Sequence, residues 1–199
     1  MPKHVIVYDT ETNGLPSQKK SLSDPSQPHL VQLSALLVNV DNQRVEQSLN
    51  LIVQPTNWTI PDYVAEIHGI TTDHAKKWGQ PCKGVLKAFL NLWTSEDPPV
   101  QCVAHNAKFD RQIISIEIFR EFGAMSLLNE WSGISNDFCT MNLAKPIVGA
   151  TTKTGALKFP KLQEAYKHFF DEEFSNAHSA NADCVATMQV YFALLEVLK

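Results

Sequence analysis

The sequence predicts an α/β domain in which a mixed sheet is flanked by helices. Three observations carry that expectation. An apolar run, Val5-Ile6-Val7-Tyr8, reads as a buried strand near the start of the chain. Two longer apolar stretches then meet at a polar turn, as in an antiparallel hairpin. After them, short strand-like runs alternate with helical periodicity, which adds a parallel part to the sheet.

Residues 4–9 form the first strand. Leu30 to Val40 is apolar with polar interruptions and makes a long second strand. Asp41-Asn42-Gln43 supplies the turn, and Val45 to Val53 returns as the third. Pro61 to Ile67 is a short helix stopped by Gly69. Lys83 to Trp93 is helical, with Val85, Leu86, Phe89, Leu90 and Trp93 on one side. The Asp97-Pro98-Pro99 cluster separates that helix from a fourth strand at Val100 to Ala104. Ala107 to Phe122 is helical, Phe138-Cys139 a short fifth strand, and residues 159–169 and 182–198 complete the chain as helices.

At 199 residues the chain fits one domain, taken as 1–199. Its cysteines, Cys82, Cys102, Cys139 and Cys184, are scattered and form no Cys-x-x-Cys, which excludes a zinc ribbon and a disulfide framework. No apolar stretch reaches membrane-spanning length, and Met1-Pro2-Lys3-His4 leads into a strand without a visible signal peptide, so a cytoplasmic protein is expected, with no membrane partner. The formal charge of −4 gives no global attraction to nucleic acid, so any such binding must rest on local groups and bound metal.

The chemistry-bearing residues cluster in three places. Asp9 and Glu11, two apart on a strand, share one face. Two adjacent carboxylates repel unless a cation or a shared proton lies between them, which marks the pair as a divalent-metal site in outline. His105-Asn106-Ala107-Lys108-Phe109-Asp110 opens a helix, with Asn106 as its expected N-cap and Asp110 in the first turn. His178-Ser179-Ala180-Asn181-Ala182-Asp183 leads into the C-terminal helix, placing Asp183 near its N-terminus and His178 in the connection before it. Each acid alone reads as an ordinary strand-end or helix-dipole carboxylate. The ordered set is far more specific than any one of them.

These segments resemble the three motifs of the DEDDh, or DnaQ-like, 3′–5′ exonucleases, with Gly14-Leu15 and Ile67-His68-Gly69-Ile70-Thr71 extending the likeness from residue 5 to about 195. The resemblance implies a ribonuclease-H-like fold and hydrolysis of a phosphodiester with two Mg²⁺ ions, for which Mn²⁺ substitutes. It implies that Asp9 bridges both ions, that Glu11 and Asp183 hold one, that Asp110 serves the second, and that His178 is the general base. It implies contacts to the terminal nucleotide from Thr10, Thr12, Leu15, His68 and Phe109, with Ile70 a further wedge. The implied partner is a nucleic acid with a free 3′ end, DNA or RNA; a polymerase or homodimer partner rests on analogy alone. One departure is Val31-Gln32-Leu33-Ser34-Ala35, where relatives often carry an acidic residue followed by Ile-Gly-Ala.

Two other classes compete. A non-catalytic nucleic-acid- or polymerase-binding module of the same fold is disfavoured by the intact set of four acids and His178. A phosphatase for small esters needs a closed phosphate pocket, and the sequence has no glycine-rich phosphate loop. The lysines of the 16–28 and 151–158 loops, Lys19, Lys20, Lys153 and Lys158, are expected to be solvated.

Overall fold

The sheet is built outward from β1 (His4–Thr12), which lies between β2 (Leu30–Asn39) and β4 (Gln101–Ala104). This computed structural model describes residues 2–96, 99–123, 125–133, 137–175 and 179–199. With β3 (Arg44–Ile52) and β5 (Phe138–Cys139), the five strands run β3-β2-β1-β4-β5. β2 pairs antiparallel with both β1 and β3, while β4 pairs parallel with β1 and β5. β2 is buried along its whole length and β3 is the largely exposed edge.

Strand alternation divides the core between the two faces. Ile6 and Tyr8 of β1 join Leu33, Ala35 and Leu37 against α3 (Cys82–Trp93), α4 (Ala107–Phe122) and α5 (Met125–Gly133). There Trp131 meets Trp93 and Phe89 edge-on, at centroid distances of 5.1 and 5.7 Å. Val5 and Val7 face the other way, packing with Leu36, Val38 and Val103 against Cys184 and Tyr191 of α8 (Ala180–Val197). The rest of the helical layer is α1 (Asp62–His68), α2 (Thr72–Trp78), α6 (Thr140–Val148) and α7 (Leu162–Phe170). Among the described residues no helix is long and apolar enough to cross a membrane.

The expected order of strands and the hairpin are present. β1, however, runs three residues further than expected, because β2 continues to pair with it through Thr12 across a register shift after Glu11. Three helices escape the sequence pattern. α2 and α5 are short, and α6 contains Pro146, which reads as a breaker yet is accommodated near the end of the helix, before its left-handed cap at Gly149. The α7 helix starts at Leu162 rather than residue 159, after Pro160, and the Glu164 carboxylate accepts from the Lys161 N–H at 2.8 Å to cap its first turn. Asp97 and Pro98 of the expected separator lie outside the described residues.

Candidate active site

β1 pairs with β4 only from Val5 to Val7, so its second half projects past β4 and opens a crevice at the strand ends. The side-chain alternation that sends Val5 and Val7 toward α8 sends Asp9 and Glu11 the same way. Asp183 meets them from the first turn of α8, and one ligand oxygen from each of the three lies within 4.8 Å of the others. Cys184, next in the helix, places its thiol 3.4 Å from the Ser34 carbonyl and so seats α8 on the strand opposite Asp9.

Asp110 arrives from the other face. The link His105-Asn106 turns the chain from β4 into α4, with Asn106 in the left-handed region at φ 73°. Its side chain makes no cap hydrogen bond, so the N-cap position is as expected but the capping interaction is not; Asn serves here by tolerating the backbone. Asp110 is 2% exposed. Its Oδ1 accepts from the Thr10 N–H at 3.0 Å and from Thr10 Oγ1 at 2.8 Å. Thr10 thus ties the α4 acid to the strand that carries the other two. Asp110 stands outside the 4.8 Å set, beside it.

The electrostatics follow from crowding. Asp9 is held well above the ordinary carboxylate range, first by the packed protein around it although it keeps some surface, then by Asp110, Glu11 and Asp183. Glu11 is pushed up to about 8 by burial, then by Asp183 and Asp110. Asp110 is pushed up to about 7 by burial, against the lowering effect of the Thr10 bonds. Four acids of this kind at neutral pH require protons or a cation. The donor set is all oxygen, which suits a hard divalent ion. The site therefore fits the metal that the motifs imply.

The remaining expected contacts divide into two groups. Thr10, Thr12 and His68 are buried, and their side chains serve the fold. The Thr12 hydroxyl donates to the Gly14 carbonyl at 2.7 Å, and His68 Nδ1 accepts from the Ile70 N–H at 3.1 Å across the Gly69 turn. The Thr10 N–H is taken by Asp110. Ile70 is also a core residue rather than a wedge, packed with Val31, Ile60 and Val64. Leu15 and Phe109, by contrast, line a common open cavity of about 220 Å³ with Asn106 and Lys108 at the start of α4. His105 is bound by Thr140 and the Pro160 carbonyl and holds α6 and the 160 turn. His178 lies outside the described residues. Sequence reasoning missed Thr10 as the partner of Asp110. The available signal was parity, since a residue between two acids on a strand faces away from both.

The family model for exonucleases of the RNase T group matches residues 6–191. The chain belongs to this exonuclease family. That match bears out the likeness to the DEDDh enzymes, and family membership implies dependence on a divalent metal. No curated protein matches the sequence. Among solved structures, E. coli exonuclease I in complex with a dT13 oligonucleotide is similar at a TM-score of 0.76 and 19% identity, over 96% of this chain and 40% of that one. The zinc-bound form of an E. coli exonuclease I–ssDNA complex gives 0.74 and 18%, over 100% and 41%. Exonuclease I from Methylocaldum szegediense gives 0.75 and 16%, over 97% and 40%. The exonuclease family chain described here thus has the ribonuclease-H-like fold of these enzymes and spans about two-fifths of their length.

Proposed function

We propose that residues 1–199 form one exonuclease domain that releases nucleoside monophosphates from single-stranded or frayed 3′ ends. The observation that carries this reading is the convergence of Asp9, Glu11 and Asp183 within 4.8 Å, with Asp110 linked to them through Thr10. Asp9, Glu11 and Asp183 are assigned to one Mg²⁺, and Asp9 with Asp110 to a second. When bound, the ions neutralise charge on the scissile phosphate and acidify the attacking water. His178 accepts the proton from that water, since an imidazole titrates near working pH. The new P–O bond forms as the bond to the upstream 3′ oxygen breaks, leaving a shortened strand with a 3′-hydroxyl and a nucleoside 5′-monophosphate. Leu15 and Phe109 hold the terminal nucleotide in the cavity they share. The 3′–5′ polarity comes from the family. The proposal includes no polymerase or second-copy partner, for which the comparisons offer no support.

A 5′-labelled oligonucleotide incubated with protein and Mg²⁺ is expected to yield a ladder that disappears with chelator and in Asp9→Ala. Retention of the oligonucleotide without any ladder, in Mg²⁺ and in Mn²⁺, overturns the proposal in favour of a binding module.

A further inference from the structure

We propose that Cys82, Glu117 and Glu121 form a second metal site, separate from the catalytic acids, that takes one Zn²⁺ and staples α3 to α4. The inference stands independently of the exonuclease reading.

The three residues come from two helices. Cys82 opens α3, while Glu117 and Glu121, four apart on α4, share one face of that helix. One ligand atom from each lies within 4.8 Å of the others. Among the described residues the other set of this kind is Asp9, Glu11 and Asp183. Glu117 comes seven residues after Asp110, about 10 Å further along the α4 axis, so the two sets do not compete for one ion.

The spacing suits an ion held between the helices. Cys82 Sγ lies 3.8 Å from Glu117 Oε2. A Zn–S bond of about 2.3 Å and a Zn–O bond of about 2.1 Å, set at a tetrahedral angle, place sulfur and oxygen about 3.6 Å apart. Neither helix needs to move to admit the ion. Glu117 is 2% exposed, and its two oxygens are used differently. Oε1 accepts from the Leu30 N–H and from Arg120 Nη1, each at 3.0 Å. Oε2 receives no N–H among the described residues and faces only the thiol. A thiol donor at that distance is a weak partner for a buried carboxylate oxygen. All three residues line a cavity of about 330 Å³, which has room for water to complete the coordination shell.

Charge and donor type then select the ion. Arg120 balances Glu117. On binding, the Cys82 thiol releases its proton to solvent as the S–Zn bond forms. The thiolate and the Glu121 carboxylate bring two further negative charges, which one divalent cation cancels. The catalytic acids offer only oxygen and suit a hard ion, whereas a thiolate shifts preference toward Zn²⁺. With a single cysteine this is no zinc ribbon. It is a clamp that joins the first turn of α3 to the middle of α4, while Glu117 Oε1 holds the start of β2.

Co²⁺ is the probe, because a thiolate ligand gives it a charge-transfer absorption band in the near ultraviolet that oxygen ligands do not. The full chain, stripped with chelator and kept in a non-thiol reductant, is titrated with Co²⁺. A band is expected that saturates at one Co²⁺ per chain, persists in Asp9→Ala and is bleached by Zn²⁺. Cys82→Ser is expected to abolish it, and Glu121→Gln to raise the Co²⁺ needed by about tenfold or more. If Cys82→Ser does not fold by circular dichroism, Glu121→Gln decides. A wild type without the band, or a band unchanged in either variant, overturns the site. A band that survives in Cys82→Ser but is lost in Asp9→Ala also overturns it, and assigns the signal to Cys184 beside the catalytic acids. The oligonucleotide ladder is a separate readout, so either reading can fail alone.

Discussion

At the scale of single residues, Thr10 controls an acid that it does not resemble. Its hydroxyl and its N–H both donate to Asp110 Oδ1, and the carboxylate is buried. Removing a donor from a buried carboxylate costs about 1–3 kcal/mol. Thr10→Val keeps shape and N–H but deletes the hydroxyl. It is expected to weaken Mn²⁺ binding about tenfold by calorimetry, with Thr10→Ser restoring it; equal affinity in wild type and Thr10→Val would show that the bond does not position Asp110. His178 predicts the opposite separation. Because its assigned role is to move a proton, His178→Ala is expected to reduce turnover by about 10²–10⁴ with far less change in metal affinity. Wild-type activity should rise with pH through the imidazole titration. A flat profile from mildly acid to mildly alkaline pH would remove the histidine base from the mechanism.

At the scale of elements, the joint between α2 and the end of β3 depends on a glycine for reasons of space. Gln54 N–H donates to the Gln80 carbonyl at 2.9 Å, and Gln80 N–H to the Ile52 carbonyl at 2.7 Å. A Cβ on Gly79 would meet the Ala75 carbonyl oxygen at 2.4 Å and Gln54 N at 2.6 Å, backbone atoms that cannot step aside. Gly79→Ala is expected to destabilise by about 1–3 kcal/mol in urea unfolding. Gly84→Ala, whose Cβ would meet nothing within 4 Å at the start of α3, is expected to be neutral or stabilising by up to about 1 kcal/mol. A Gly79→Ala protein as stable as wild type would contradict the close approach. Legibility differed by element for physical reasons. β2 was readable because it is buried along its whole length and so reads as an apolar run, β3 because it pairs back on β2 after a polar turn, and α4 because many of its positions, among them Ile113, Ile114, Ile116 and Ile118, are buried. α2 is one short surface helix whose buried face is a single residue, Ala75, so it leaves no period to read. The acids were legible through spacing and family likeness, and strand parity accounts for Asp9 and Glu11 sharing a face, while Asp110 and Asp183 are brought in by α4 and α8. What sequence concealed was which side chains the fold uses up. His68 Nδ1 and the Thr12 hydroxyl look available but are taken up within turns, and the His29–Trp58 stack joins segments far apart in the chain.

At the scale of the whole molecule, the site makes stability depend on pH and metal together. In the metal-free protein Asp9 is raised, Glu11 lies at about 8 and Asp110 at about 7, against ordinary values of 3.8 for Asp and 4.5 for Glu. Between those limits the folded chain binds more protons than the unfolded chain, so stability falls as pH rises, by about 1.4 kcal/mol per pH unit for each proton difference. Buried His68 and half-buried His105 have the opposite sign. Their folded pKa values are lowered, chiefly by burial, so their contribution rises with pH, but only up to the ordinary histidine value of 6.5. Glu117, lowered despite its burial by its bonds to His29, Arg120 and the Leu30 N–H, acts only below its ordinary 4.5. The window from about 6.5 to 8 is thus left to the carboxylate cluster. With chelator, the melting temperature is expected to fall across that window, and Glu11→Gln to flatten the fall. A divalent cation held by the ionised acids would replace the protons, so Mg²⁺ or Mn²⁺ is expected to stabilise more at pH 8 than at pH 6.5. Thermal melts at both pH values, with and without metal, check this. A metal-induced shift that is the same at the two pH values would mean that the four acids do not share a site with the cation.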